Sequence, residues 1–186
     1  MDGFLPAALL ARLDDSCNEI AAPDFVRSGI GRGTERQSDG VVRGDVVSWL
    51  DHAREADHLY LTAMEDLRLS LNEQLYLGLF DYECHYAIYG AGAHYEKHLD
   101  ALAGRKNRVL STVVYLNSEW AVADGGELIL YRGGDPDAVA RILPRPGLMV
   151  LFMSEDFPHE VLTAHRSRHS IAGWFSGRGG SPRPAV

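Results

Sequence analysis

Cysteine is scarce. The 186-residue chain holds two, Cys17 and Cys84, and no Cys-x-x-Cys. That excludes a disulfide framework and leads to the expectation of a reducing compartment. Positive charge is the minority sign, with 18 Lys and Arg against 26 Asp and Glu and a formal net charge of −8. General nucleic-acid binding, which shows as a strongly basic face, is therefore not expected. No apolar run approaches the roughly 18 residues of a membrane span. The opening MDGFLPAALLARLDD carries acidic residues where a signal peptide carries basic ones. These absences lead to the expectation of a cytoplasmic protein with neither nucleic acid nor membrane as partner, and a monomer is expected as well.

What is present suits one core, since 46% of the residues are hydrophobic and the length matches one domain. Pro6 can open a helix, and Leu9, Leu10, Leu13, Cys17 and Ile20 follow at helical spacing. Tyr60, Met64, Leu67, Leu71 and Leu75 form a second apolar stripe. Both helices are expected to pack outside a sheet. SGIGRGTERQSDG, residues 28–40, is glycine-rich and polar and predicts a mobile loop, while VVRGDVVSWL, residues 41–50, reads as a strand. Its Arg-Gly-Asp is a common tripeptide and carries no adhesion role here.

From about residue 80 the pattern shortens. YECHYAIY, RVLSTVVYLN, GELILYR, AVARILP, GLMVLFM, HEVLTA and RHSIAGWF are β-rich runs separated by Gly, Pro, Asp or Asn. The expected class is mainly β with flanking helices, a sandwich or barrel. One domain over residues 1–178 is expected, with helical and loop support over 1–79, a β core over 80–178 and a tail over 179–186.

The chemistry-bearing residues are few. His98 and Asp100 are two apart, and alternation in a strand would turn both to one side. With a second histidine they would form a two-His, one-carboxylate set that leaves coordination positions open, as in non-haem Fe(II) oxygenases. The candidate is His159, which follows Phe-Pro and opens a run. In the last run, Arg168, Ser170, Ala172 and Trp174 share one face. An arginine beside a tryptophan on an interior face suits a bound anion; a strand-end arginine reaching to water is the alternative. His52 and His58 are expected to be exposed, His85 packed, and His94, His165 and His169 not to be ligands.

With these residues placed, the chain resembles the 2-oxoglutarate- and Fe(II)-dependent dioxygenases of the prolyl 4-hydroxylase group. The likeness is most specific in YGAGAHYEKHLD, in STVVYLNSEW with GGELILY, and in FPHEV with SRHSIAGWF. VVRGDVVSWL narrows it to the hypoxia-sensing prolyl hydroxylases and their bacterial relatives. The resemblance implies a double-stranded β-helix (jelly-roll) core, with His98, Asp100 and His159 as iron ligands. It implies Arg168 and Tyr115 on the distal carboxylate of 2-oxoglutarate, Tyr89 near co-substrate and iron, and Trp174 and Ala172 lining the site. It also implies a substrate-facing loop region with Arg32, Arg36, Arg43 and Asp45, and an ion pair between Asp45 and Arg108. The implied cofactors are Fe(II), 2-oxoglutarate and O2, with ascorbate as a reductant. The implied reaction is 4-hydroxylation of a prolyl residue in a protein loop, with release of succinate and CO2. For a bacterial member the implied substrate is elongation factor Tu. A hydroxylase of a free amino acid or small metabolite is the enzymatic alternative, and a non-catalytic sensor module the non-enzymatic one.

Overall fold

The computed structural model describes residues 1–20, 25–27, 43–101 and 108–178. The predicted loop over 28–40, with Arg32 and Arg36, lies outside the described residues, as does the tail over 179–186.

Helix α1 spans Ala7–Glu19. Pro6 is its N-cap, where a missing N–H costs nothing, and the Pro6 carbonyl accepts the amides of Leu9 and Leu10. Helix α2 spans Glu55–Leu75 and carries Glu55 and Asp57 in its first turn, where negative charge suits the helix dipole. Its apolar stripe buries Tyr60 and Met64, but Leu75 is 59% exposed. The stripe ends early because the helix stops there. Tyr76 turns left-handed at φ 54° and its N–H closes on the Asn72 carbonyl.

The described residues hold ten strands: β1 (Val26–Arg27), β2 (Asp45–Trp49), β3 (Leu79–Tyr89), β4 (Tyr95–His98), β5 (Arg108–Tyr115), β6 (Leu128–Tyr131), β7 (Ala138–Ile142), β8 (Met149–Met153), β9 (His159–Val161) and β10 (Arg168–Gly177). They form a six-stranded sheet, β1-β2-β3-β10-β5-β8, and a four-stranded sheet, β4-β9-β6-β7, paired antiparallel throughout. Strand β2 begins at Asp45, later than the predicted run, preceded by an isolated bridge from Arg43 to Tyr95.

Alternation then sorts the large sheet into two faces. Cys84, Tyr86, Leu110, Val114, Met149, Ile171 and Phe175 pack with Leu13, Tyr60 and Met64 under the helices. Val47, Ala87, Tyr89, Tyr115, Val150 and Phe152 face inward and pack with Leu128, Leu130 and Val161 of the small sheet. Two facing antiparallel sheets with helices on one outer side make the expected jelly-roll core. No helix among the described residues is long and apolar enough to cross a membrane.

Candidate active site

The inward face of β10 supplies one wall. Arg168 pairs in register with Tyr89 on β3, and Ser170 with Tyr115 on β5. Arg168, Ser170, Ala172 and Trp174 therefore share the interior side, as the alternation predicts.

The small sheet supplies the other wall. One ligand atom each from His98, Asp100 and His159 lies within 4.8 Å of the others. Nδ1 of His98 is 2.8 Å from the Glu96 carbonyl, and Nδ1 of His159 is 3.0 Å from the Phe157 carbonyl. A carbonyl only accepts, so each Nδ1 carries the proton and each Nε2 presents a lone pair. Those Nε2 atoms stand 3.7 and 3.6 Å from the Asp100 carboxylate. Burial, then the neighbouring His159, pushes His98 down to about 4, which keeps it neutral and able to ligate. Burial alone would raise Asp100, but the two histidines, Ser111 and Trp174 outweigh it and hold the carboxyl below its ordinary value. Two imidazole nitrogens and one carboxylate fit Fe(II) with positions left open.

Strand pleat alone does not bring Asp100 to the histidines, since β4 ends at His98. Ser111 does part of that work from β5, donating to Asp100 Oδ2 at 2.7 Å. With its one proton so used, Ser111 accepts from Ser154 at 2.8 Å. Sequence reasoning missed both serines. The available signal was parity, because Ser111 is four residues before Tyr115 and shares its face.

Arg168 is 2% exposed. Nε donates to the Gly126 carbonyl at 2.9 Å and Nη1 to Ser170 Oγ at 3.3 Å, while the guanidinium sits about 5 Å from the Tyr89 and Tyr115 ring centres, at 5.1 and 4.9 Å. Gly126 has φ +69°, and a Cβ there would stand 3.1 Å from Arg168 Cδ, so glycine keeps this approach open. Among the described residues no carboxylate pairs with Arg168, and the buried Tyr115 hydroxyl, close enough to the Arg168 guanidinium to feel its pull, has no hydrogen-bond partner of good geometry. Burial raises the Tyr115 hydroxyl against the opposing pull of Arg168, and raises that of Tyr89, so both remain phenols. A carboxylate placed here would pair the guanidinium and satisfy Tyr115, so the residues fit the distal end of 2-oxoglutarate.

The expected ion pair between Asp45 and Arg108 is a correction. Arg43 takes Asp45 instead, through Nε at 2.6 Å and Nη2 at 2.9 Å. Arg108 bonds Glu83 through Nε at 3.1 Å and Nη2 at 2.7 Å and lies 3.7 Å from the Trp174 ring centre. The local Arg-x-Asp fork captures Asp45. A register shift sets Leu110 opposite Phe175 but Arg108 opposite Ser176, so the strand bulges and turns Arg108 to the Trp174 side. Glu83, at an inward position of β3, is a partner that the sequence reading did not consider.

The remaining histidines stay apart from the ligand cluster. His85 lies between Trp49 and Trp174, with ring centres at 5.2 and 5.4 Å, and burial and then the Arg43 charge lower it to about 4. His52 and His58 are exposed and touch each other at 3.1 Å. His165 is exposed, and His169 meets Asp14 of α1 at 3.0 Å.

A family model described as the 2OG-Fe(II) oxygenase superfamily matches residues 84–176, half of the chain. A prolyl-4-hydroxylase structure from Pseudomonas putida is similar at 39% identity and a TM-score of 0.85, over 96% of this chain and 91% of that one. A prolyl hydroxylase from Trichoplax adhaerens, solved with a peptide fragment of the hypoxia inducible factor oxygen degradation domain, is similar at 26% identity and a TM-score of 0.81, over 95% and 81%. The hypoxia-inducible factor prolyl hydroxylase of Caenorhabditis elegans is 38% identical over 92 residues, which is 48% of this chain but only 12% of that protein's length.

Proposed function

The chain belongs to the 2OG-Fe(II) oxygenase superfamily, a dioxygenase using Fe(II), 2-oxoglutarate and O2, and from that premise we propose that it hydroxylates C4 of a prolyl residue in a protein. The products in this reading are hydroxyprolyl protein, succinate and CO2. Residues 1–178 act as one catalytic domain and 179–186 as a tail, in a cytoplasmic monomer.

The observation that carries the reading is the buried Arg168, with no carboxylate partner among the described residues, beside the Tyr115 hydroxyl that lacks a well-formed hydrogen bond, on a wall facing the His98, Asp100 and His159 cluster. His98, Asp100 and His159 hold Fe(II), with their two Nδ1 bonds fixing the rings in advance. Arg168 and Tyr115 hold the distal carboxylate of 2-oxoglutarate, and Tyr89 packs beside it. When bound, the metal, co-substrate and O2 supply an oxidising chemistry that places one oxygen atom in succinate and the other in a C–H bond. The chain's own part is placement. Trp174 and Ala172 line the substrate's side, and the apolar faces of the two sheets limit water. Arg32, Arg36, Arg43 and Asp45 belong to the region that meets the protein substrate. The peptide bound to the Trichoplax neighbour supports a protein substrate over a free metabolite. The likeness to the bacterial branch makes elongation factor Tu the first protein to test.

Host proteins are digested from cells with and without the enzyme, and searched by mass spectrometry for one added oxygen on proline. The expected result is a single 4-hydroxyprolyl site on one protein. A 3-hydroxyprolyl product would move the site of attack. Rapid turnover of a free amino acid, with no protein modified, would replace the reading by the small-molecule one.

A further inference from the structure

The two histidines of the cluster are held unequally. His159 stands on β9, an interior strand of the small sheet, its side chain 8% exposed, with the Phe152 ring edge-on at 4.8 Å. His98 is the last residue of a four-residue strand, its side chain 20% exposed. Among the described residues β9 is the one strand paired with β4, beside the isolated bridge from Arg43 to Tyr95, and the β4 register breaks between Tyr95 and His98. The bond from Nδ1 to Glu96 fixes one point of the imidazole. A ring tied at one point can still swing about that bond, and a swing carries Nε2 away from Asp100.

Tyr95 blocks the swing. Its ring stacks on His98 with centres 3.6 Å apart and planes 18° apart, while His159 stands on His98 at 4.2 Å and 57°. Tyr95 is itself clamped. The Arg43 guanidinium lies over its ring at 4.7 Å, and Asp45 grips Arg43 through two bonds. The Asp45 side chain is fully buried on β2, in register with Tyr89. Gly44, between them, makes the clamp possible. A Cβ there would meet the Ala93 Cβ at 2.9 Å, and the Gly44 amide donates to the His94 carbonyl at 3.0 Å. The Arg-Gly-Asp tripeptide thus has one structural use for each residue: Arg43 covers Tyr95 on the strand of His98, Gly44 packs on the two residues just before that strand, and Asp45 holds Arg43.

We propose that Arg43 and Tyr95 are positioning residues for His98, with Asp45 and Gly44 as their support, so that this tripeptide sets the geometry of one metal ligand from the large sheet. The proposal rests on His98 being a ligand. Tyr95 acts through its ring face, and Arg43 acts through Tyr95. Lysine cannot replace Arg43, because an ammonium lacks both the planar surface and the fork.

The test reads metal geometry directly. Co(II) is titrated anaerobically into wild type, His98→Ala, Tyr95→Leu, Tyr95→Phe, Arg43→Lys and the Arg43→Lys/Tyr95→Leu double variant, and its visible absorption is recorded. Wild type is expected to bind and His98→Ala to lose the signal. Tyr95→Leu and Arg43→Lys should weaken binding by roughly 10- to 100-fold, the usual range for partners that orient a ligand, and should shift the spectrum. Tyr95→Phe, which keeps the ring, should largely restore both. The double variant should bind no more weakly than Tyr95→Leu alone, since Arg43 works through Tyr95. Thermal unfolding of each apo-protein shows that the altered spectrum belongs to folded protein; should Tyr95→Leu fail to fold, Arg43→Lys against Tyr95→Phe decides. Wild-type affinity and spectrum in Arg43→Lys and Tyr95→Leu would overturn the proposal while leaving the metal site standing. Undiminished binding in His98→Ala would overturn both.

Discussion

Burying a guanidinium is costly when its charge has no opposite partner. Arg168 meets that cost with neutral groups, namely one carbonyl, one hydroxyl and the faces of two tyrosines. Such surroundings orient the fork and leave its charge available to a carboxylate, as the proposed function requires. Arg168→Ala is expected to raise the KM for 2-oxoglutarate roughly 10- to 150-fold, because a charge-assisted bidentate pair contributes about 1.5–3 kcal/mol. Steady-state kinetics at varied 2-oxoglutarate tests this, and an unchanged KM would return Arg168 to a structural role. Arg168 was legible in sequence because β10 is long and regular enough for parity to set it beside Trp174. Ser111 and Ser154 were not, since their meeting depends on the register of β5 on β8, and no local pattern encodes which strands become neighbours.

At the scale of elements, the strands with an apolar alternation were legible throughout, whereas β4 was legible only through the His-x-Asp spacing. Tyr95-Glu96-Lys97-His98 carries two adjacent charges and no alternating apolar pair, so its apolar pattern does not mark where the strand ends, before Asp100. The bulge before Leu110 was equally silent, yet it decides where Arg108 points. Helix α2 was legible as a stripe, but the stripe does not explain how its first turn is anchored. Asp57 is fully buried there and accepts Tyr86 Oη at 2.5 Å, Arg54 Nε at 3.0 Å and the Asp51 amide at 3.2 Å. Tyr86 lies on β3, in the sheet beneath. Tyr86→Phe removes one donor from a buried carboxylate and leaves the packing almost unchanged. The expected loss is about 1–3 kcal/mol, the cost of an unsatisfied buried group, read as a lower urea midpoint with an unchanged m-value. A change below about 0.5 kcal/mol, the usual size for a surface substitution, would mean that Arg54 and the Asp51 amide satisfy Asp57 without it.

Across the whole molecule, the two sheets divide the candidate ligands between them. His98 and His159 stand on β4 and β9 of the small sheet, whereas Tyr89, Tyr115 and Arg168 stand on β3, β5 and β10 of the large one. Asp100 links the two, following β4 and accepting from Ser111 of β5. In the proposed arrangement a metal engages mainly the small sheet, and a dicarboxylate reaching from that metal to Arg168 ties the sheets together. Binding to the folded state alone stabilises by about 2.7 kcal/mol at a hundredfold excess over Kd. For a chain of this length, that corresponds to a Tm rise of about 5–10 °C. Mn(II), which stands in for Fe(II) without turnover, should give such a rise at saturation. 2-Oxoglutarate should add a further rise only when Mn(II) is present, since without metal it loses its anchor on the small sheet. By reciprocity, the co-substrate must then tighten Mn(II) by the factor by which Mn(II) tightens it. Arg168→Ala should keep the Mn(II) rise and lose the 2-oxoglutarate increment, and a chelator should return every sample to the apo Tm. Equal 2-oxoglutarate increments with and without Mn(II) would mean that the co-substrate binds the large sheet alone, and the bridging arrangement would have to be abandoned.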